Sequence, residues 1–119
     1  MTEMRKPLFW ESSSKKDFKE FPIPVQKDMG VALFVVQLGQ MPDSSKPWKG
    51  LGPGVYELVD DHRGDTFRAV CTVRVGDAIH VLHAFQKKSK SGISTPQPDV
   101  NLIEMRLKAV LARHGLSGR

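Results

Sequence analysis

From Val25 to Leu38 the apolar side chains Val25, Met29, Leu33 and Val36 keep the three-and-four spacing of one helix face. Val31, Phe34, Val35 and Leu38 widen that stripe, so the pattern predicts a mostly buried helix that Gly39 ends. Ahead of it, Pro7 to Trp10 reads as a short strand. Ser12 to Phe21 reads as a short amphipathic helix with Lys15, Lys16 and Lys19 outward, and Pro22 and Pro24 restart the chain. Residues 40 to 54 hold Pro42, Pro47, Gly50, Gly52, Pro53 and Gly54 and read as a long loop, which a compact domain keeps for a reason. Three segments rich in β-branched and aromatic residues follow: Val55 to Val59, Thr66 to Val75 and Ala78 to Lys87. The turns between them are Asp60 to Asp65 and Gly76-Asp77, so together they predict an antiparallel meander. Beyond the polar segment Lys87 to Ser94, Thr95 can cap and Pro96 can open a final helix. Its apolar residues Ile103, Leu107, Val110 and Leu111 keep helical spacing to about His114. The expected architecture is a small α+β fold: an antiparallel meander packed on two N-terminal helices, with a C-terminal helix.

Gly76-Asp77 suits a two-residue hairpin, and that fixes register by pairing Val75 with Ala78. Counting outward sets Thr66 opposite Lys87, Arg68 opposite Phe85 and Val70 opposite His83. Arg68, His83, Phe85 and Lys87 then share one face, because side chains alternate along a strand. The other face carries Phe67, Ala69, Cys71, Val73, Leu82 and Ala84. It is the more uniformly apolar, so it is assigned to the helices and the first face is left partly open. Arg68, His83 and Lys87 would lie close enough to surround one phosphodiester. Metal-free RNA cleavage uses the neighbouring 2′-hydroxyl as nucleophile and needs a base, a cation for the phosphorane and an acid for the leaving oxygen. His, Arg and Lys can fill those roles, and Phe85 could stack a base. Lys88, Lys90 and Lys49 are candidate RNA contacts at the same edge. A plainer reading stays open: if the six-residue turn lets Val59 face Thr66, Glu57 faces Arg68 as a cross-strand ion pair. His83 could equally be a satisfied sheet histidine, Phe85 a core residue and Trp48 a plug at a core margin.

Composition sharpens this reading. The chain has 119 residues, which fits one domain over 1–119, and a formal net charge of +5. Residues 1–83 carry eleven basic and eleven acidic side chains. Residues 84–119 carry Lys87, Lys88, Lys90, Arg106, Lys108, Arg113 and Arg119 against Asp99 and Glu104. The whole excess lies in the last third, as suits a polyanionic partner or, more plainly, a solvated basic helix face. The longest apolar run, Val31 to Val36, is too short for a membrane span, and no secretory segment is read at the start. A lone cysteine, Cys71, excludes an internal disulfide and points to a reducing cytoplasm. The scattered histidines His62, His80 and His114 suggest no metal site, and the glycine segment lacks the order of a nucleotide triphosphate loop, so no cofactor is expected.

Five stretches carry a resemblance: Gln37-Leu-Gly39, Trp48-Lys-Gly-Leu-Gly52, Gly54-Val-Tyr-Glu-Leu58, Phe67-Arg-Ala-Val70, and the most specific, Leu82-His-Ala-Phe-Gln-Lys-Lys-Ser-Lys-Ser-Gly-Ile-Ser-Thr-Pro96. They extend over about residues 7–112. Together they resemble the RelE/ParE superfamily of type II toxin–antitoxin toxins, most closely its HigB-like, phage-derived branch. The resemblance implies ribosome-dependent mRNA cleavage without metal or cofactor. It also implies neutralisation by a helix-turn-helix antitoxin. Under it, Arg68 takes the place of the phosphate-contacting strand arginine, and Lys87 and Lys88 form the basic end of the next strand. Glu57 and Val59 stand where some members use lysine, and no tyrosine follows the last strand, which leaves His83 as the substitute base. The same fold hosts toxins that poison DNA gyrase by protein contact. It would also suit an inactive domain that only binds an antitoxin or nucleic acid.

Overall fold

A computed structural model describes residues 5–87 and 95–116 of the chain. The expected α+β class is borne out. Strand β1 (Leu8–Trp10) leads into helix α1 (Ser14–Phe18) and helix α2 (Ile23–Gln37). Four strands follow, β2 (Ser45–Pro47), β3 (Val55–His62), β4 (Asp65–Val75) and β5 (Ala78–Lys87), and then helix α3 (Gln97–Arg113). The sheet order is β1-β5-β4-β3-β2. The meander is antiparallel as expected, but β1 joins β5 in parallel, so the sheet is mixed.

Several boundaries differ from the sequence expectation, each for a local reason. Helix α1 covers only five residues of the expected ten; the buried Ser14 hydroxyl donates to the carbonyl of Val81, which pins its first turn to β5. The long loop contains β2, paired antiparallel to β3 with Lys46 opposite Glu57. Hydrophobic patterning has no purchase on Ser-Lys-Pro. The expected six-residue turn after Val59 is a two-residue one: Arg63 and Gly64 both take positive φ, the backbone of a tight hairpin. Asp60, Asp61 and His62 therefore pair with Phe67, Thr66 and Asp65. At the last helix the N-cap is Pro96 rather than Thr95, and among the described residues no side chain caps the first turn.

The β4–β5 hairpin turns through Gly76 and Asp77 as expected, and Thr66, Arg68 and Val70 lie opposite Lys87, Phe85 and His83. Two compensating irregularities interrupt the ladder. One skips Leu82 between the pairs Val70–His83 and Cys71–Val81, and the other lies between Thr72 and Val75. The first moves Leu82 off its expected face. It packs with Val55, Val70, Phe85, Ile103, Leu107 and Val110 beneath α3. Inside this stretch the buried Arg106 donates to the carbonyl of Leu82 at 2.9 Å.

Helices α1 and α2 cover the opposite face, where Phe18, Phe21, Val25 and Met29 meet Phe67, Ala69 and Ala84, and Ala32, Leu33 and Val36 meet Leu58, Cys71, Ile79 and Val81. The face expected to stay open is thus largely roofed by α3; only its far end, beyond Phe85, remains accessible. A second correction concerns α2. Val31, Phe34 and Leu38, expected inside, are exposed to solvent. Among the described residues no helix is long and apolar enough to cross a membrane.

Candidate functional site

Where α3 stops covering the sheet, its N-terminal end, the rim strand β2, the early part of β3 and of β4 and the end of β5 line a cleft of about 680 Å³. Its lining includes Lys46, Lys49, Glu57, Arg68, Lys87, Trp48, Thr95 and Gln97. Each arrives there by register. Lys46 lies directly across β2–β3 from Glu57. Arg68 faces Val59 on β3 and Phe85 on β5, so Glu57 and Lys87 are its diagonal neighbours on the same side of the sheet. Trp48 is fixed by its backbone N–H, which donates to Val55 at 2.8 Å, and its indole packs against the core at the cleft wall.

Arg68 and Glu57 form an ion pair, both side chains close to nine-tenths buried. The guanidinium keeps one buried N–H, at Nε, without a hydrogen-bond partner among the described residues. Four cations against one carboxylate leave the cleft strongly positive. The open first turn of α3 adds the positive end of a helix dipole at the rim. This surface suits an anion.

The structure thus brings Arg68, Lys87 and Lys49 together and adds Lys46 and Glu57, but it draws His83 and Phe85 away. His83 is 5% exposed; its Nε2 meets Asp99 at 2.7 Å and its Nδ1 lies 3.4 Å from Arg106. Its ring stacks on Phe85 at 4.9 Å, and Phe85, 8% exposed, belongs to the core under α3. Neither lines the cleft. Lys88 and Lys90 lie outside the described residues. Lys46 was missed because its strand carries no apolar pattern. Glu57 was visible only as a partner for Arg68.

The remaining titratable clusters lie elsewhere. His80 is buried against Glu11, which Arg113 also binds. Burial alone would raise the Glu11 carboxyl, but His80 and Arg113 together hold it below its ordinary value. Burial pushes the Cys71 thiol up to about 12, so it is not a nucleophile. Among the described residues no cluster of His, Cys, Asp and Glu is arranged to hold a metal ion.

Residues 16–108 match the family described as phage-derived protein Gp49-like (DUF891). The chain belongs to this family. The match spans α2, the whole meander and most of α3, so every described wall of the cleft lies in the Gp49-like region. Comparison with curated proteins gives no match. Membership in a family associated with RelE and toxin-like proteins is consistent with a toxin-like protein.

Proposed function

We propose that this Gp49-like chain is the toxin of a type II toxin–antitoxin pair and cuts messenger RNA on the ribosome through the RNA's own 2′-hydroxyl. The observation that carries the reading is the cleft: Arg68, Lys87, Lys46 and Lys49 line it together with one carboxylate, Glu57, which pairs with Arg68. Cyclising cleavage needs a base, a cation beside the non-bridging oxygens and an acid at the leaving oxygen. In this reading Glu57 takes the proton from the 2′-hydroxyl, since it is the carboxylate among the cleft residues and His83 is engaged elsewhere. The 2′-oxygen bonds to phosphorus, and Arg68 bears the charge of the phosphorane. The P–O5′ bond then breaks as Lys87 gives a proton to the departing oxygen. The products are a 2′,3′-cyclic phosphate and a 5′-hydroxyl. The Arg68–Glu57 pair orients both groups before substrate arrives, and Lys46 and Lys49 hold neighbouring phosphates.

The partners in this reading are mRNA, the ribosome and a helix-turn-helix antitoxin that covers the cations of the cleft, and the site of action is the cytoplasm. Induction of the chain should arrest growth and leave ribosome-bound mRNA cut at discrete sites with cyclic phosphate ends. Arg68→Ala should abolish both while the purified variant keeps its circular dichroism spectrum. Intact mRNA with gyrase trapped on DNA would overturn the assignment in favour of a gyrase poison, and the absence of any growth effect would favour an inert binding domain.

A further inference from the structure

Helix α2 is apolar on both sides. Val25, Met29, Ala32, Leu33 and Val36 are buried against the sheet, yet the outward stripe carries Ile23, Val31, Phe34 and Leu38, with Met41 just past the helix end. Ile23 is 61% exposed and Val31 64%. A helix that is apolar all round is ordinarily enclosed on all sides. These five side chains leave roughly 400 Å² of apolar surface in water, the size of a patch that is often functional.

Gly30 sits on the same stripe. A glycine inside a helix weakens it, and here none of the usual reasons applies: a Cβ at Gly30 would meet nothing within 4 Å among the described residues. The stripe therefore presents a notch at Gly30 and a knob at Phe34, one helical turn apart. A notch and a knob so spaced are complementary to themselves when two such helices cross antiparallel, each Phe34 seating over the other copy's Gly30. That register carries Ile23 toward the Leu38–Met41 end of the second helix and sets Lys27 against Gln37 rather than against its own counterpart.

We infer that the outer face of α2 is a two-fold interface at which the chain pairs with a second copy of itself. Area supports that occupant. Two stripes remove roughly 800 Å² of apolar surface, close to the apolar share of an interface of standard size once a polar rim is added. Arg5, whose guanidinium lies 5.5 Å from the Phe34 ring centroid, and Lys27 set two cations against one exposed carboxylate, Asp28, so among the described residues each copy brings net positive charge to the pairing. Salt therefore tightens the pairing, whereas it would loosen binding of an acidic partner. The stripe lies across the sheet from the cleft, so pairing leaves the cleft open, and the inference does not rest on the function proposed above.

The test is sedimentation equilibrium of the full chain across the micromolar range at low and high salt, alongside Val31→Glu and Gly30→Leu. The wild-type chain should dimerise, more tightly at high salt, and Val31→Glu should be monomeric with unchanged circular dichroism. Gly30→Leu is the decisive variant. It gives the isolated helix a better helix former in open space, so its thermal midpoint at dilute concentration should hold or rise, while the filled notch weakens dimerisation at least tenfold. A wild-type chain that is monomeric throughout, a dimer that loosens with salt, or a Gly30→Leu chain that pairs as well as wild type would each overturn the inference. A monomer that uses the stripe to bind a different protein would do so as well.

Discussion

Replacing Lys46, Lys49 and Lys87 by glutamine, singly and together, measures whether the cleft binds a phosphate backbone. Among the described residues four cations line it, but Arg68 is matched by Glu57, so these supply three charges free to displace counterions from RNA. For single strands each such contact contributes a slope of about −0.7 to the logarithm of affinity against the logarithm of salt, so the wild-type chain should show a slope of about −2. Between about 50 and 200 mM salt that is a loss of roughly twentyfold. Fluorescence anisotropy of a short labelled RNA, titrated at four or five salt concentrations, reads the slope directly. Each single substitution should flatten it by about 0.7, and the triple variant should flatten it by about 2. Arg68→Gln behaves differently, because it releases the Glu57 carboxylate into the same cleft; it should cost affinity beyond the loss of one contact. A wild-type slope near zero, or three single variants with unchanged slopes, would remove the cleft from RNA binding.

Two further expectations concern groups away from the cleft. Burial, Asp28 and Asp61 all raise the pKa of Asp60, whose Oδ2 is buried without a partner. As pH rises above the ordinary aspartate value of 3.8, the unfolded chain ionises before the folded one, so the carboxylate costs stability at neutral pH and nothing below that value. Asp60→Asn should therefore raise the urea midpoint at pH 7, with the gain vanishing as pH falls through the acid range; an equal gain at all pH values would refute the coupling. The Cys71 thiol, fully buried, should resist a disulfide-exchange reagent in the native chain and react once in denaturant; rapid native reaction would contradict its burial.

The hairpins show how much a sequence can state and where it stops. Gly76-Asp77 sets the β4–β5 register because a two-residue turn admits one count, and three of the expected pairs are found because the two irregularities between them and the turn cancel. The β3–β4 turn was read as six residues because Asp60 to Asp65 is uniformly polar. In the structure the polar residues pair across the sheet edge, and Arg63 accepts the positive φ that an arginine seldom takes. The resulting slip is two residues. Since faces alternate with a period of two, Glu57 and Arg68 stay on one side and still meet, diagonally rather than directly. An error of one residue would have separated them. The skip at Leu82 is of that odd kind. It exchanged one core residue between faces, and nothing in Val-Leu-His-Ala marks it.

The same roof that hid His83 also divides the C-terminal charge. Arg106 is buried and binds the Leu82 carbonyl, Arg113 binds Glu11, and Lys87 is in the cleft, so the basic excess read from the sequence is in part a structural one. Asp99 in the first turn of α3 holds His83, and Arg106 two turns on holds both His83 and the neighbouring carbonyl. This clamp sets where α3 begins, and hence where Thr95 and Gln97 meet the rim. The proposed function makes His83 a positioning residue and Glu57 the base, and substitution separates the two. His83→Asn breaks the clamp and should cost about 1 to 3 kcal/mol of stability, read by urea denaturation. At a temperature where the variant is folded its single-turnover cleavage rate should stay within a few-fold of wild type. Glu57→Gln keeps a polar side chain beside Arg68 and should preserve the fold and, by freeing the Arg68 charge, bind RNA at least as tightly as wild type, yet lower the rate a hundredfold or more, the scale of a lost general base. Reversal of the two results, with His83→Asn stable but inactive and Glu57→Gln active, would return the base to the histidine and require α3 to lift from the sheet before RNA is cut.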